Sequence, residues 1–120
     1  MNLYAVIPSC CRPVELRNLI WTLVNDGVRV LIIDTGYERG VVRHPNATII
    51  KDQGEINIQR WWNTGLNAVY EYERVLNLNQ EFVVAVLNDD LEIPRGFVKT
   101  LAEHIVRSGS AAACPAPGIK

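Results

Sequence analysis

Val28-Arg29-Val30-Leu31-Ile32-Ile33-Asp34-Thr35-Gly36 is a β-branched, nearly continuous apolar run that stops at a carboxylate and a glycine turn. An apolar run of this length bounded by turn residues reads as a strand buried on both faces, the kind found in parallel sheets. Its end exchanges apolar side chains for Asp34, Thr35 and Gly36, so the strand ends where polar chemistry begins.

The same pattern recurs on either side. Leu3 to Ile7 forms a short apolar run closed by Pro8-Ser9, Ala47 to Ile50 ends at Lys51-Asp52-Gln53-Gly54, and Phe82 to Leu87, the most hydrophobic run, gives way to Asn88-Asp89-Asp90. Between them lie helical patterns. Pro13 suits a first helical position, and Leu16, Leu19, Ile20, Leu23 and Val24 share one face before Gly27 breaks the pattern. Asn57 is placed to cap a helix to about Leu76, with Ile58, Trp62, Leu66, Val69 and Val75 expected inward. Pro94 is expected to open a last helix with Phe97, Leu101 and Ile105 inward, and Ala111 to Cys114 to start a further strand.

Strands alternating with helices predict an α/β fold, a three-layer sandwich around a mostly parallel central sheet with right-handed crossovers. Residues 1–120 make one domain, and the alternation is expected to be cut short after the last strand. In such sheets ligands bind beyond the carboxyl ends of the strands. Ser9, Asp34, Asp52, Asn88, Asp89 and Asp90 are therefore expected along one edge of the sheet, the last three at the end of a central strand.

Composition narrows the classes. Twelve basic residues against thirteen acidic ones, with no basic stripe, argue against a nucleic-acid partner. No stretch reaches the about 18 apolar residues of a membrane span, and the start lacks a signal-peptide pattern. Cys10, Cys11 and Cys114 are odd in number and fit neither a disulfide framework nor a metal knuckle, so they read as reduced thiols of a cytoplasmic protein. His44 and His104 stand apart from each other and from the cysteines at ligand spacing, and no Walker loop, GxGxxG fingerprint or serine elbow is present.

Each polar cluster admits two readings. Asp89 and Asp90 either hold a hard divalent cation together with substrate phosphates, or divide between capping the next turn and facing solvent. Asp34-Thr35-Gly36 either hydrogen-bonds a base or ribose or is a simple turn. Asn63 and Asn67, one helical turn apart with Gly65 between them permitting close approach, either address a sugar or are solvated amides. Arg12 and Arg60 either pair with phosphate or are solvated, and Trp61 and Trp62 are core or interface residues, one of them facing partly outward.

Four stretches in order carry a resemblance: Tyr4-Ala5-Val6-Ile7-Pro8-Ser9-Cys10-Cys11-Arg12-Pro13, Leu31-Ile32-Ile33-Asp34-Thr35-Gly36, Trp62-Asn63-Thr64-Gly65-Leu66-Asn67, and Val86-Leu87-Asn88-Asp89-Asp90 with Pro94 and Phe97 downstream. Together they resemble the nucleotide-binding half of family-two-type glycosyltransferases with the GT-A, Rossmann-like fold, and the resemblance covers almost the whole chain. The pattern departs from the family at Trp62, where an arginine is usual, at Thr35, where a second acid is usual, and at Asn88, where the metal motif has its first acid.

The resemblance implies a nucleoside-diphosphate sugar as ligand, UDP- or GDP-linked, an acceptor of unknown kind, and Mn²⁺ or Mg²⁺ as cofactor. It implies Asp34 on the base, Asn88 or Asp89 on the ribose side and Asp90 on the cation, with Pro8, Ser9, Arg12, Gly36, Asp52, Asn63 and Asn67 lining the donor site. The family's second half, which carries the acceptor site and the catalytic base, has no counterpart here, so no catalytic residue is assigned. A donor-binding portion, completed in a longer enzyme or by self-association through a sheet edge, is the leading expectation. A non-catalytic nucleotide-sugar-binding module and a nucleotidyltransferase are the alternatives.

Overall fold

The computed structural model describes residues 1–10, 12–36, 43–76 and 81–109. The expected strand at Ala111–Cys114, and with it Cys11 and Cys114, lies outside the described residues.

The described elements run β1 (Asn2–Ser9), α1 (Pro13–Asn25), β2 (Arg29–Asp34), β3 (Ala47–Lys51), α2 (Ile58–Leu76), β4 (Phe82–Val86) and α3 (Phe97–Ser108). The four strands form one sheet in the order β3-β2-β1-β4, every pair parallel. β1 is therefore internal and buried on both faces, which is why its apolar run does not alternate with polar residues. β4, expected to be a central strand, is the outer strand of the described sheet, with Phe82 to Ala85 half-buried and Val86 exposed.

The sheet divides the core in two because successive side chains point to opposite faces. On one face Ala5, Ile7, Val30 and Ile32 meet Leu16, Leu19, Ile20 and Leu23 of α1 and Val98 of α3. On the other Tyr4, Val6, Leu31 and Ile33 meet Trp61 and Val69 of α2. The β1–α1–β2 and β3–α2–β4 connections cross opposite faces in opposite directions and so have the same hand, as the strong preference for right-handed crossovers requires.

Helix boundaries follow the local chemistry. Pro13 takes the first position of α1, where a missing N–H costs nothing. The helix ends in a Schellman turn: the Val28 N–H donates to the Leu23 carbonyl and the Gly27 N–H to the Val24 carbonyl, each at 3.0 Å, with Gly27 at φ 77°. Asn57 caps α2 as expected, its Oδ1 accepting the Arg60 N–H at 2.9 Å. α3 begins later than Pro94, at Phe97 behind a left-handed Gly96, because the chain first turns through Pro94–Arg95, the Phe97 N–H returning to the Pro94 carbonyl at 3.3 Å. That turn is anchored by Asp26, whose Oδ2 accepts the Gly96 N–H at 2.6 Å.

The inward face of α2 differs from the expected one. The buried positions are Trp61, Gly65, Val69 and Glu73, whereas Ile58, Leu66 and Val75 are exposed and Trp62 is half-buried. Gly65 explains the rotation. A Cβ there would lie 2.2 Å from Val6 Cγ1, so the helix backbone rests directly on β1 and turns its larger neighbours to the flanks. Close approach at Gly65 therefore serves helix-on-sheet packing and not a ligand. In α3, Val98 and Ala102 are the buried residues, and Phe97, Leu101 and Ile105 flank them half-buried.

Glu73 enters this interface as a buried carboxylate. Its Oε1 accepts the Tyr4 hydroxyl and the Asn2 side-chain amide, the latter at 3.0 Å. Arg29 closes the cluster by donating to the Tyr72 hydroxyl at 2.7 Å, its guanidinium 5.3 Å from the Tyr72 ring centroid and 6.0 Å from that of Tyr4. The cluster sits at the amino ends of the strands, opposite the edge where the polar loops gather.

Candidate functional site

Parallel pairing brings the strand ends level: Ser9 is in register with Asp34, and Asp34 with Lys51. Ladder-like bonds continue past the strands, the Thr35 N–H donating to the Ser9 carbonyl at 3.1 Å and the Asp52 N–H to the Asp34 carbonyl at 3.0 Å. Ser9, Asp34 and Asp52 thus share one edge, and Asp89 joins them from the loop after β4.

The junction of β1 and β4 is where strand order departs from chain order, since β1 leads to β2 on one side while β4 returns to the other. Crevices at such switch points hold ligands in open α/β sheets. A side-chain clamp spans this junction. The Ser9 hydroxyl donates to Asp89 Oδ2 at 2.9 Å, and the Cys10 N–H donates to the same oxygen at 3.3 Å. Arg12 approaches from the start of α1, its Nε 3.8 Å from Asp89 Oδ1 and its Nη1 3.6 Å from Asp90 Oδ2. Asp89 is largely enclosed, while the Asp90 side chain is 47% exposed.

Asp34 is 1% exposed and its Oδ1 accepts the Gly36 N–H at 3.2 Å, so the carboxylate shapes its own turn. Asp52 is held by Arg60 in a two-pronged pair, Nη2 to Oδ1 at 2.9 Å and Nε to Oδ2 at 3.2 Å, and the same Nη2 donates to the Glu55 carbonyl at 2.9 Å. Arg60 is thereby committed to the β3–α2 connection. Pro8 is half-buried in register with Ile33, and Asn88 is exposed beside the clamp.

Asn63 and Asn67 are exposed on the side of α2 turned away from the buried Trp61–Gly65–Val69 stripe. They are not brought into the clamp. The Ser9–Asp89 bond itself was not foreseen; the one signal for it in the sequence is that each residue stands second after the end of an apolar run.

No family model, curated protein or solved structure matches this chain. Its own chemistry is therefore the guide. Among the described residues no group of three or more His, Cys, Asp and Glu side chains gathers as a metal cage. What the β1–β4 mouth offers is a pair of adjacent carboxylates, hard oxygen donors suited to Mg²⁺ or Mn²⁺, ions that take one or two carboxylates and complete their shell with water and phosphate. An open groove of about 390 Å³ lies elsewhere, beside β3, lined by Arg43, His44, Pro45, Ala47 and Ile49. It is lined from the amino-terminal side of β3, away from the acids, and none of the expected donor-site residues lines it.

No helix among the described residues is long and apolar enough to cross a membrane.

Proposed function

We propose that this chain is the donor-binding portion of a glycosyltransferase of the GT-A fold, holding a nucleoside-diphosphate sugar at the carboxyl ends of β1, β2 and β4. The observation that carries the reading is the Ser9–Asp89–Arg12–Asp90 network at the β1–β4 junction. It combines carboxylates for a cation with a guanidinium for phosphate at the position where α/β sheets bind ligands.

In this reading Asp89 holds the two loops together through Ser9 and Cys10, Asp90 faces the cation, and Arg12 faces the diphosphate. Asp34 and Gly36 form the floor under the nucleoside, with Asp52, Pro8 and Asn88 at its margin, while Asn63 and Asn67, on the outer side of α2, stay out of it. A divalent ion bound at Asp90 would offset the charge that develops on the departing diphosphate. The acceptor oxygen would bond to the anomeric carbon as that carbon's bond to the diphosphate oxygen breaks, the hydroxyl's proton passing to solvent. The protein is read as cytoplasmic.

A second reading, donor binding without transfer, is favoured by the commitments of the acids. Asp34 is bonded to Gly36, Asp52 to Arg60 and Asp89 to Ser9 and Cys10, which leaves none of these three poised as a general base.

Calorimetric titration with nucleoside diphosphates and their UDP- and GDP-sugars, with and without Mn²⁺, tests the proposal on the wild type and on Asp90→Ala. Metal-dependent binding that is lost in Asp90→Ala is expected. Absence of binding at millimolar nucleotide in both conditions overturns the reading, and binding with no sugar transfer to any acceptor selects the second one.

A further inference from the structure

β3 is the outer strand on the side of the sheet opposite β4, and among the described residues no strand covers its free side. Along a strand, successive residues send their backbone groups to alternate sides. The Asp52 N–H donates to the Asp34 carbonyl at 3.0 Å, so Thr48 and Ile50, in step with Asp52, face β2, while Ile49 and Lys51 face outward. No backbone partner meets the outward N–H groups of Ile49 and Lys51, which makes the edge a template for a further strand.

The surface beside this edge is apolar at its base and rich in donors. The groove of about 390 Å³ takes its apolar lining from Pro45, Ala47 and Ile49 and its polar lining from Arg43 and His44. His44 Nδ1 accepts the Asn46 N–H at 3.1 Å, which puts the hydrogen of the neutral ring on Nε2 and makes that atom a donor. Arg43 lies before β3 and Lys51 at its end, both are exposed, and neither has an acidic partner among the described residues. The acids at the carboxyl end of this side of the sheet are engaged, Asp34 by the Gly36 N–H and Asp52 by Arg60. Roughly 13 Å of strand separates Ala47 from Lys51, so positive charge brackets the whole edge.

That charge selects the occupant. In a two-fold antiparallel pairing of β3 with a second copy, the Lys51 end of one strand meets the Arg43 end of the other, and like charges placed opposite one another destabilise a strand pair. Lysine on an open edge is a recognised guard against such self-pairing. A small molecule is a poor fit, because its sites enclose most of the ligand, whereas this groove is open. A strand bearing carboxylates meets every requirement of the edge.

We propose that β3 is a docking edge for an extended acidic segment of a partner protein. The segment adds as a strand beside Ile49 and Lys51, lays apolar side chains against Pro45, Ala47 and Ile49, and sets its carboxylates against Arg43 and Lys51. Main-chain bonds supply the affinity and the charges choose the partner. None of the expected donor-site residues lines this groove, so docking here and donor binding stand or fall separately.

The test uses the whole chain and two end-capped nine-residue peptides of alternating valine and threonine, one with two glutamates at each end, the other with lysines in their place. Binding is followed by nuclear magnetic resonance titration and amide hydrogen exchange. The glutamate peptide is expected to bind and, at saturation, to slow exchange at Ile49 and Lys51 about tenfold or more, with Thr48 and Ile50 unchanged because they already face β2. Arg43→Gln and Lys51→Gln should each weaken it about threefold, the effect of one exposed ion pair, and the double variant about tenfold. The lysine peptide should bind about tenfold more weakly than the glutamate peptide. Equal binding of the two peptides, indifference to both substitutions, or binding without slowed exchange at Ile49 and Lys51 overturns the inference. So does absence of binding at millimolar glutamate peptide. Protection of the same two amides in the chain alone, growing with protein concentration, assigns the edge to a second copy and overturns it as well.

Discussion

The Ser9 hydroxyl reaches across 80 residues of sequence to donate to Asp89 Oδ2 at 2.9 Å, tying the end of β1 to the loop after β4. Ser9 is buried and Asp89 nearly so, which makes the bond more than a surface contact. Ser9→Ala is expected to cost about 1–2 kcal/mol and Asp89→Ala about 1–3 kcal/mol in denaturant unfolding. The double variant should cost about 1 kcal/mol less than the two singles added, the sign of a direct partnership. Strict additivity would show that the clamp contributes no coupling.

Gly65 and Val6 set the spacing of α2 on the sheet. Gly65→Ala raises helix propensity by about 1 kcal/mol, but its methyl would stand 2.2 Å from Val6 Cγ1. A net destabilisation of about 1–3 kcal/mol is expected from overpacking. Val6→Ala in the same chain should recover part of the loss, although Val6→Ala alone destabilises. Thermal unfolding of the four proteins in the cycle measures it.

Tyr4 is 2% exposed and donates its hydroxyl to Glu73. Burial first, and then the Glu73 carboxylate, push its phenol up to about 12 from an ordinary value of 10.0. The neutral phenol is thus favoured by folding, so its contribution is fully present below about pH 10 and is lost as pH rises from there towards 12. Ultraviolet titration should show a tyrosine that ionises near pH 12 in the folded protein, a late step that Tyr4 loses on unfolding. Tyr4→Phe should remove that late step and destabilise the fold by about 1–3 kcal/mol at neutral pH, since it takes one of the two hydrogen-bond donors from a buried carboxylate.

Arg60 fixes the path from β3 to α2 through Asp52 and the Glu55 carbonyl. Both side chains are partly exposed, so the pair is worth about 1 kcal/mol or less to global stability. Its local effect should be larger. Arg60→Ala is expected to accelerate amide hydrogen exchange through residues 52–57 while leaving protection in β1 and β2 unchanged.

Much of this architecture is legible in the sequence because its signals are local. Asn57 capping α2, Pro13 opening α1 and Gly27 closing it each act within a few residues, and the apolar runs of β1 and β2 announce strands buried on both faces. The inward face of α2 is not legible in that way. Its stripe passes through Gly65 and Glu73, residues that a count of apolar side chains discards, and the rotation depends on a contact with Val6 far away in sequence. The position of β4 in the sheet is not legible either, because strand order is set by the whole crossover pattern, and β4 lies outermost in the described sheet. For the site, the shared edge of Ser9, Asp34, Asp52 and Asp89 follows from parallel strands. That Asp89 would be the clamped acid and Asp90 the exposed one follows only from their turn geometry.

The contact between Gly65 and Val6 also bears on kinship. Chains that share this packing but have drifted beyond recognition in residue identity still face the same steric equation. Where the first of these positions carries a side chain, the second must shrink or the helix must lift. The two positions should therefore change together across such lineages, so that a paired constraint, and not a string of letters, is the trait by which distant kin of this chain can be sought.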